Sequence, residues 1–159
     1  MKDFDGWLAD YQIEWRRTHI SYPDWGTYRN RKRYEHILPA ELWEDGLWHG
    51  IRSDGEHPLS KYLEREGVEK HSDSHNLKSG WTHCANLYFS LGQSESGRAL
   101  MAGFLKEHVS TKVLVVDRVE LEYAEPCDLS PPQLLGERRG KRGRRQTSPD
   151  VAFLVNGLR

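Results

Sequence analysis

The chain has 159 residues, of which 36% are hydrophobic and 30% charged, and its formal net charge at neutral pH is −1. This length fits one domain with a hydrophobic core of its own. The sequence has no run of about 18 apolar residues, and residues 1–5 lack the layout of a secretory signal. We therefore expect no membrane span. The two cysteines, Cys84 and Cys127, provide no disulfide framework, which favours a reducing cytoplasm.

Residues 1–90 are expected to form a mainly helical region that is rich in tryptophan. Helical spacing over residues 4–20 predicts an amphipathic helix whose apolar stripe is Phe4, Trp7, Leu8, Tyr11, Trp15 and Ile20. Further helices are predicted at 27–37, 40–51 and 58–66, and residues 70–80 are expected to be a loop. Residues 81–89 fit a helix or a strand. The tryptophans are expected mainly in the core, with Trp25, in a turn, as the most exposed.

Residues 91–159 predict a helix followed by two strands. The helix covers 98–108, with Ser94 or Ser96 as its cap and Leu100, Met101, Phe104 and Leu105 toward the core. Alternating residues over 113–123 predict a strand with Glu120 and Glu122 on its outer face. Pro149 suits the start of a second strand, at 151–155. The predicted fold class is α+β, a mixed α/β arrangement in one compact unit.

Positive charge is concentrated in residues 138–145. Six of these eight residues are cationic, namely Arg138, Arg139, Lys141, Arg142, Arg144 and Arg145. Without them, 17 basic residues remain against 24 acidic ones, so attraction to nucleic acid would have to come from local patches. A second basic patch is 29–34, where cations stand beside aromatic rings. A solvated charged face is the alternative for both patches.

The segment from Thr147 to Val155 resembles the first half of the PD-(D/E)xK signature of restriction-endonuclease-like nucleases. Ser148, Pro149 and Asp150 lead into the apolar run 151–155, as in bacterial members of that family with unassigned function. The resemblance implies a helix–strand–strand core in which a strand-initial carboxylate binds Mg²⁺ and acts on DNA. The second half of the signature, Asp/Glu-x-Lys, does not follow within the sequence, so we expect no cleavage by this chain alone.

The resemblance implies that Asp150 is a metal ligand and a catalytic residue. A single carboxylate holds a metal ion poorly, so a second acid is needed. Glu137, at the far end of the basic loop, is the expected catalytic partner, and Glu95 and Glu107 are alternatives at the ends of the preceding helix. The alternative role for Asp150 is that of a turn cap. The six cations of 138–145 are the expected nucleic-acid contacts.

Other candidate sites have weaker support. His71, His75, His83 and Cys84 lie within fourteen positions and are chemically suited to Zn²⁺. Their polar surroundings favour ordinary loop histidines, and we do not expect a zinc site. Nothing around Cys84 indicates an activated thiol. An exposed tryptophan beside cations could stack on unpaired bases, and Trp25 is the candidate.

Two functions from different classes follow from these features. In the first, the chain is a truncated or degenerate PD-(D/E)xK-type nuclease. In the second, it is a non-catalytic module that binds nucleic acid or a protein partner, such as an inhibitor of a bacterial or phage defence system. A disrupted reading frame is a third alternative, in which the last strand would lack a neighbour.

Overall fold

The computed structural model describes residues 3–28, 31–123, 135–136 and 148–157. In these residues, α-helices and 3₁₀ turns precede a pair of β-strands. The elements are α1 (Phe4–His19), two 3₁₀ helices (Ala40–Gly46 and His49–Ile51), α2 (Leu59–Arg65), α3 (Gly80–Cys84), α4 (Ser90–Gly92), α5 (Glu95–His108), β1 (Val116–Leu121) and β2 (Val151–Val155). The predicted mixed α+β class is confirmed.

Helix α1 forms where it was predicted, but half of its apolar stripe is exposed. The carboxylate of Asp3 caps the helix by accepting a hydrogen bond from the Gly6 N–H at 2.9 Å. The buried residues of α1 are Gln12 and Arg16, whereas Phe4, Trp7 and Tyr11 are exposed. The expectation of a core-facing stripe is therefore wrong for these three rings. They stack along the helix surface at 5.8 Å between successive ring centroids.

The predicted helix over 27–37 is wrong. The chain doubles back there, with an antiparallel bridge between Thr27 and Arg33 and a left-handed residue, Arg31 (φ 61°). Cations crowded within one helical turn repel each other, which disfavours a helix. Gly26 permits close packing of this segment, because a Cβ at Gly26 would lie 1.9 Å from the carbonyl oxygen of Leu38.

Residues 40–51 form two 3₁₀ helices instead of one α-helix, with Leu42 at a kink between helical turns (φ −99°, ψ 20°). The helix predicted at 58–66 is confirmed as α2. The ambiguous segment 81–89 is helical: α3 continues through a π-helical turn, Ala85–Phe89, into α4. Such π-turns are rare and often mark functional sites.

Helix α5 is confirmed, and Ser94 is its cap, with its hydroxyl accepting from the Gly97 N–H at 3.0 Å. Met101 is buried as predicted, and Leu105 packs against the same cluster. Leu100 and Phe104 are exposed, so the prediction of a four-residue core face is only half right.

The two strands pair antiparallel, and both lie where they were predicted. Leu121 is opposite Val151 and Val119 is opposite Phe153, with an irregularity between Val116 and Arg118. Pro149 is not the first residue of the strand, because β2 begins two residues later, at Val151. The prediction that Glu120 and Glu122 face outward is wrong, since both are buried.

Two hydrophobic clusters hold these elements together. The larger joins residues of the 3₁₀ helices, α2 and α3 to Leu121 at the end of β1, and the smaller joins α5 to the two strands. Val151 packs against both clusters. The start of β2 is therefore fixed at the point where the helical part meets the strands. In the described residues, no helix has the length and apolarity to cross a membrane.

Candidate functional site

Asp150 lies at the mouth of the strand pair, one residue before β2. Its carbonyl oxygen accepts a hydrogen bond from the Glu122 N–H at 3.2 Å, which continues the β1–β2 ladder past the Leu121–Val151 pair. Its side chain is exposed. The backbone of Asp150 is thus fixed by pairing while its carboxylate stays open to a ligand.

Glu122 is the acid that the structure brings next to Asp150. It follows the end of β1 in a left-handed conformation (φ 50°), and only 4% of its surface is exposed. Its carboxylate accepts a short hydrogen bond from the Ser148 hydroxyl. This bond offsets part of the cost of burying a carboxylate, and it ties the residue before Pro149 to the end of β1.

The pKa of the Cys84 thiol depends on both acids. Burial is the main cause of the raised pKa of Cys84, and the negative charges of Asp150 and Glu122 raise that pKa further. Three elements therefore converge here, namely the end of α3, the end of β1 and the start of β2. The raised pKa keeps the thiol protonated near neutral pH, in agreement with the expectation that Cys84 is not activated.

Tyr62 of α2 fixes the end of β1. Its hydroxyl accepts from the Leu121 N–H at 2.9 Å and lies 3.3 Å from the Leu121 carbonyl oxygen, to which it donates. Tyr62 is itself buried and packs on Phe89 at 4.8 Å between ring centroids. This anchor holds the backbone from which Glu122 turns inward.

The donor chemistry of this site suits Mg²⁺. This ion prefers oxygen ligands, is commonly held by one or two carboxylates, and completes its shell with waters and substrate phosphates. Asp150 and Glu122 are two carboxylates on neighbouring strand ends, and both raise the pKa of the same thiol. In the part of the chain that the structure describes, no group of three or more His, Cys, Asp and Glu side chains is arranged to hold a metal ion. Other ligands would have to be waters or phosphate oxygens.

The other sequence candidates are placed as follows. Glu137, Arg138, Arg139, Lys141, Arg142, Arg144 and Arg145 lie outside the described residues. Glu95 and Glu107 are exposed at opposite ends of α5, and the structure pairs Asp150 with Glu122 instead. Of the basic patch 29–34, residues 31–33 are exposed, and 29–30 lie outside the described part.

His71, His75, His83 and Cys84 form no metal-binding group in the described residues. His83 is exposed on α3, whereas His71 and His75 lie in the turns before that helix. Trp25 is exposed as predicted, but Trp7 and Trp48 are exposed to a similar extent. The sequence analysis missed Glu122, Cys84 and Tyr62 as neighbours of the site, because their convergence depends on tertiary packing.

Comparison with protein-family models, with curated proteins and with solved structures finds no match to this chain.

Proposed function

We propose that this chain carries the first metal-binding strand of a PD-(D/E)xK-type nuclease that acts on DNA. The observation that supports this proposal is the pairing of Asp150 with Glu122. The Asp150 carboxylate is exposed at a strand mouth, the Glu122 N–H donates to the Asp150 carbonyl oxygen, and the Glu122 carboxylate accepts from Ser148. In this proposal, Glu122 replaces Glu137 as the catalytic partner of Asp150.

In this proposal, Asp150 and Glu122 hold Mg²⁺, and the ion supplies Lewis-acid activation of water and neutralises charge on the phosphate. Ser148 orients Glu122 through its hydroxyl hydrogen bond. The cations of 138–145 would add sequence-independent attraction to the phosphate backbone, with an affinity that falls steeply as salt rises.

A second candidate is binding of nucleic acid without cleavage. Two acids lie at the mouth of the strand pair, and among the described residues no group of three or more His, Cys, Asp and Glu side chains could hold a metal ion. We therefore propose that this chain alone binds the metal ion and DNA but does not cut DNA.

Metal titration tests the proposed site. Calorimetric titration of the protein with Mn²⁺ should show one site, and Asp150→Asn and Glu122→Gln should each weaken it by about tenfold or more. Both variants keep the shape of the side chain, and the amide oxygen introduced by Glu122→Gln can still accept the hydrogen bond from Ser148. Glu56→Gln is the control, because Glu56 is an exposed turn acid whose loss should change nothing.

A plasmid-cleavage assay with Mg²⁺, Mn²⁺ or EDTA separates the two candidates. Metal binding without cleavage supports the non-cutting form, and cleavage that both EDTA and Asp150→Asn abolish supports a competent nuclease. If Asp150→Asn binds Mn²⁺ as tightly as the parent, the proposed metal site is wrong.

A further inference from the structure

A groove lies between α1 and the α3–α4 helix, apart from the carboxylate pair. Its volume is about 610 Å³, within the range typical of small-molecule sites. Aromatic rings of Tyr11, Trp15 and Trp48 line it together with Leu87 of the π-turn. No Asp, Glu, Lys or Arg is among the described residues that line this groove. The groove thus suits a flat, uncharged ligand.

The walls of the groove are already fixed in place. The Trp48 ring lies against Gly50, where a Cβ would come within 2.0 Å of the ring. The Trp48 N–H donates to the Asn86 Oδ1 at 2.8 Å, and the Asn86 amide donates to the Gly46 carbonyl oxygen at 2.9 Å. Trp15 stacks nearly parallel on His19, at 4.9 Å and 10°. A ligand would therefore meet rings that need little reordering.

Gln12 supplies a polar group that has no partner among the described residues. It is 9% exposed and lines the groove, and its carboxamide makes no hydrogen bond to any residue that the structure describes. Its amide atoms are not fully enclosed. The carboxamide can therefore hydrogen-bond to a ligand in the groove in place of water.

We propose that this groove binds an unpaired nucleobase, with a preference for adenine. Aromatic rings stack on bases of any kind. A glutamine carboxamide offers a donor and an acceptor in one plane, which match the N6 amino group and N7 of adenine. The inference rests on the proposed function for its partner, a nucleic-acid strand, but it uses other residues. The same base could also arrive as a free nucleoside.

Binding of labelled oligonucleotides tests the base site. Fluorescence anisotropy in EDTA would compare an oligo-dA of about twelve nucleotides with an abasic strand of equal charge. The matched charge cancels the contribution of phosphate contacts. We expect about tenfold tighter binding of oligo-dA. Equal affinity for the two strands would overturn the proposal.

Variants locate the binding. Gln12→Met keeps the chain length but removes both hydrogen-bonding groups, and it should abolish the preference for oligo-dA over oligo-dT. Trp48→Leu should reduce the preference for oligo-dA over the abasic strand. Phe104→Leu is the control, because Phe104 is an exposed ring on α5 that does not line the groove. A neutral Gln12→Met together with a damaging Phe104→Leu would contradict the assignment.

Competition with adenosine separates the two sources of the base. Displacement of oligo-dA by adenosine indicates a free-nucleoside site, and retained base preference without displacement indicates recognition within a strand; both support the base site. Asp150→Asn should leave the base preference intact. The two proposals can therefore fail separately. A protein that does not bind Mn²⁺ can still prefer oligo-dA, and a protein that binds Mn²⁺ can lack that preference.

Discussion

Three side chains from distant parts of the sequence meet at the mouth of the strand pair. Asp150 is exposed, and Glu122 is buried and hydrogen-bonded to Ser148. The negative charges of both acids raise the pKa of the Cys84 thiol. Asp150 lies at an open strand mouth, and a second acid, Glu122, is bonded to its backbone. This arrangement is the physical reason for assigning the two acids to metal binding.

The reactivity of Cys84 reports this arrangement. Its raised pKa means that less thiolate is present at about pH 8 than for a free cysteine. Asp150→Asn removes a negative charge, so it should lower the pKa of Cys84 and speed alkylation by iodoacetamide at that pH. The measurement is the alkylation rate against pH in a Cys127→Ser background, with Glu56→Asn as the distant control. An unchanged pH profile in Asp150→Asn would mean that the two groups are not neighbours.

The sequence indicated Asp150 but not Glu122. Alternation along 113–123 placed Glu120 and Glu122 on the outer face, as it would for a strand that continued straight. The strand instead ends at Leu121, and the left-handed backbone at Glu122 turns its side chain inward. A left-handed glutamate is uncommon, and no local residue pattern predicts it.

The C-terminal end of α1 is bonded to the loop that follows it through Arg16. The buried guanidinium of Arg16 donates to the carbonyl oxygens of Tyr22 and Asp24 at 3.1 and 2.7 Å. Its neighbour Arg17 pairs with Glu35 at 2.6 Å but is 59% exposed. Since α1 forms one wall of the groove, the attachment through Arg16 positions Gln12.

A pair of adjacent substitutions tests that attachment. Arg16→Met should lower the free energy of unfolding by about 2 kcal/mol, because two charge-assisted hydrogen bonds are lost at a buried position. Arg17→Met should cost less than about 1 kcal/mol, as expected for an exposed ion pair. Urea unfolding followed by circular dichroism measures both. Equal effects of the two substitutions would show that Arg16 is no stronger an anchor than a surface arginine.

The elements that sequence reasoning located correctly are those with a strong local signal. Helix α5 has a serine cap and an apolar stripe, and β2 has a proline two residues before it and five consecutive apolar residues. The outward face of α1 and the turn at 27–37 were not predictable in this way. In α1 the buried position belongs to an arginine whose partners are backbone carbonyls of a later loop, which a hydrophobic pattern does not reveal.

Across the whole molecule, the α3–α4 helix connects the two proposed sites. Cys84 faces the carboxylate pair, and Asn86 and Leu87, in the adjoining π-turn, line the aromatic groove. Val151, next to Asp150, packs against both hydrophobic clusters. A strand could thus be held by a base in the groove and by a phosphate near the metal ion, as the two proposals together require.

The most direct test of the proposed metal site is the effect of Mg²⁺ on Cys84 alkylation in the Cys127→Ser protein. A cation held by Asp150 and Glu122 offsets their charge, so it should lower the pKa of Cys84 and accelerate the reaction. NaCl at matched ionic strength controls for screening. We predict acceleration that saturates with Mg²⁺ and disappears in Asp150→Asn. A rate that Mg²⁺ leaves unchanged, or that rises equally in Asp150→Asn, would contradict the metal site.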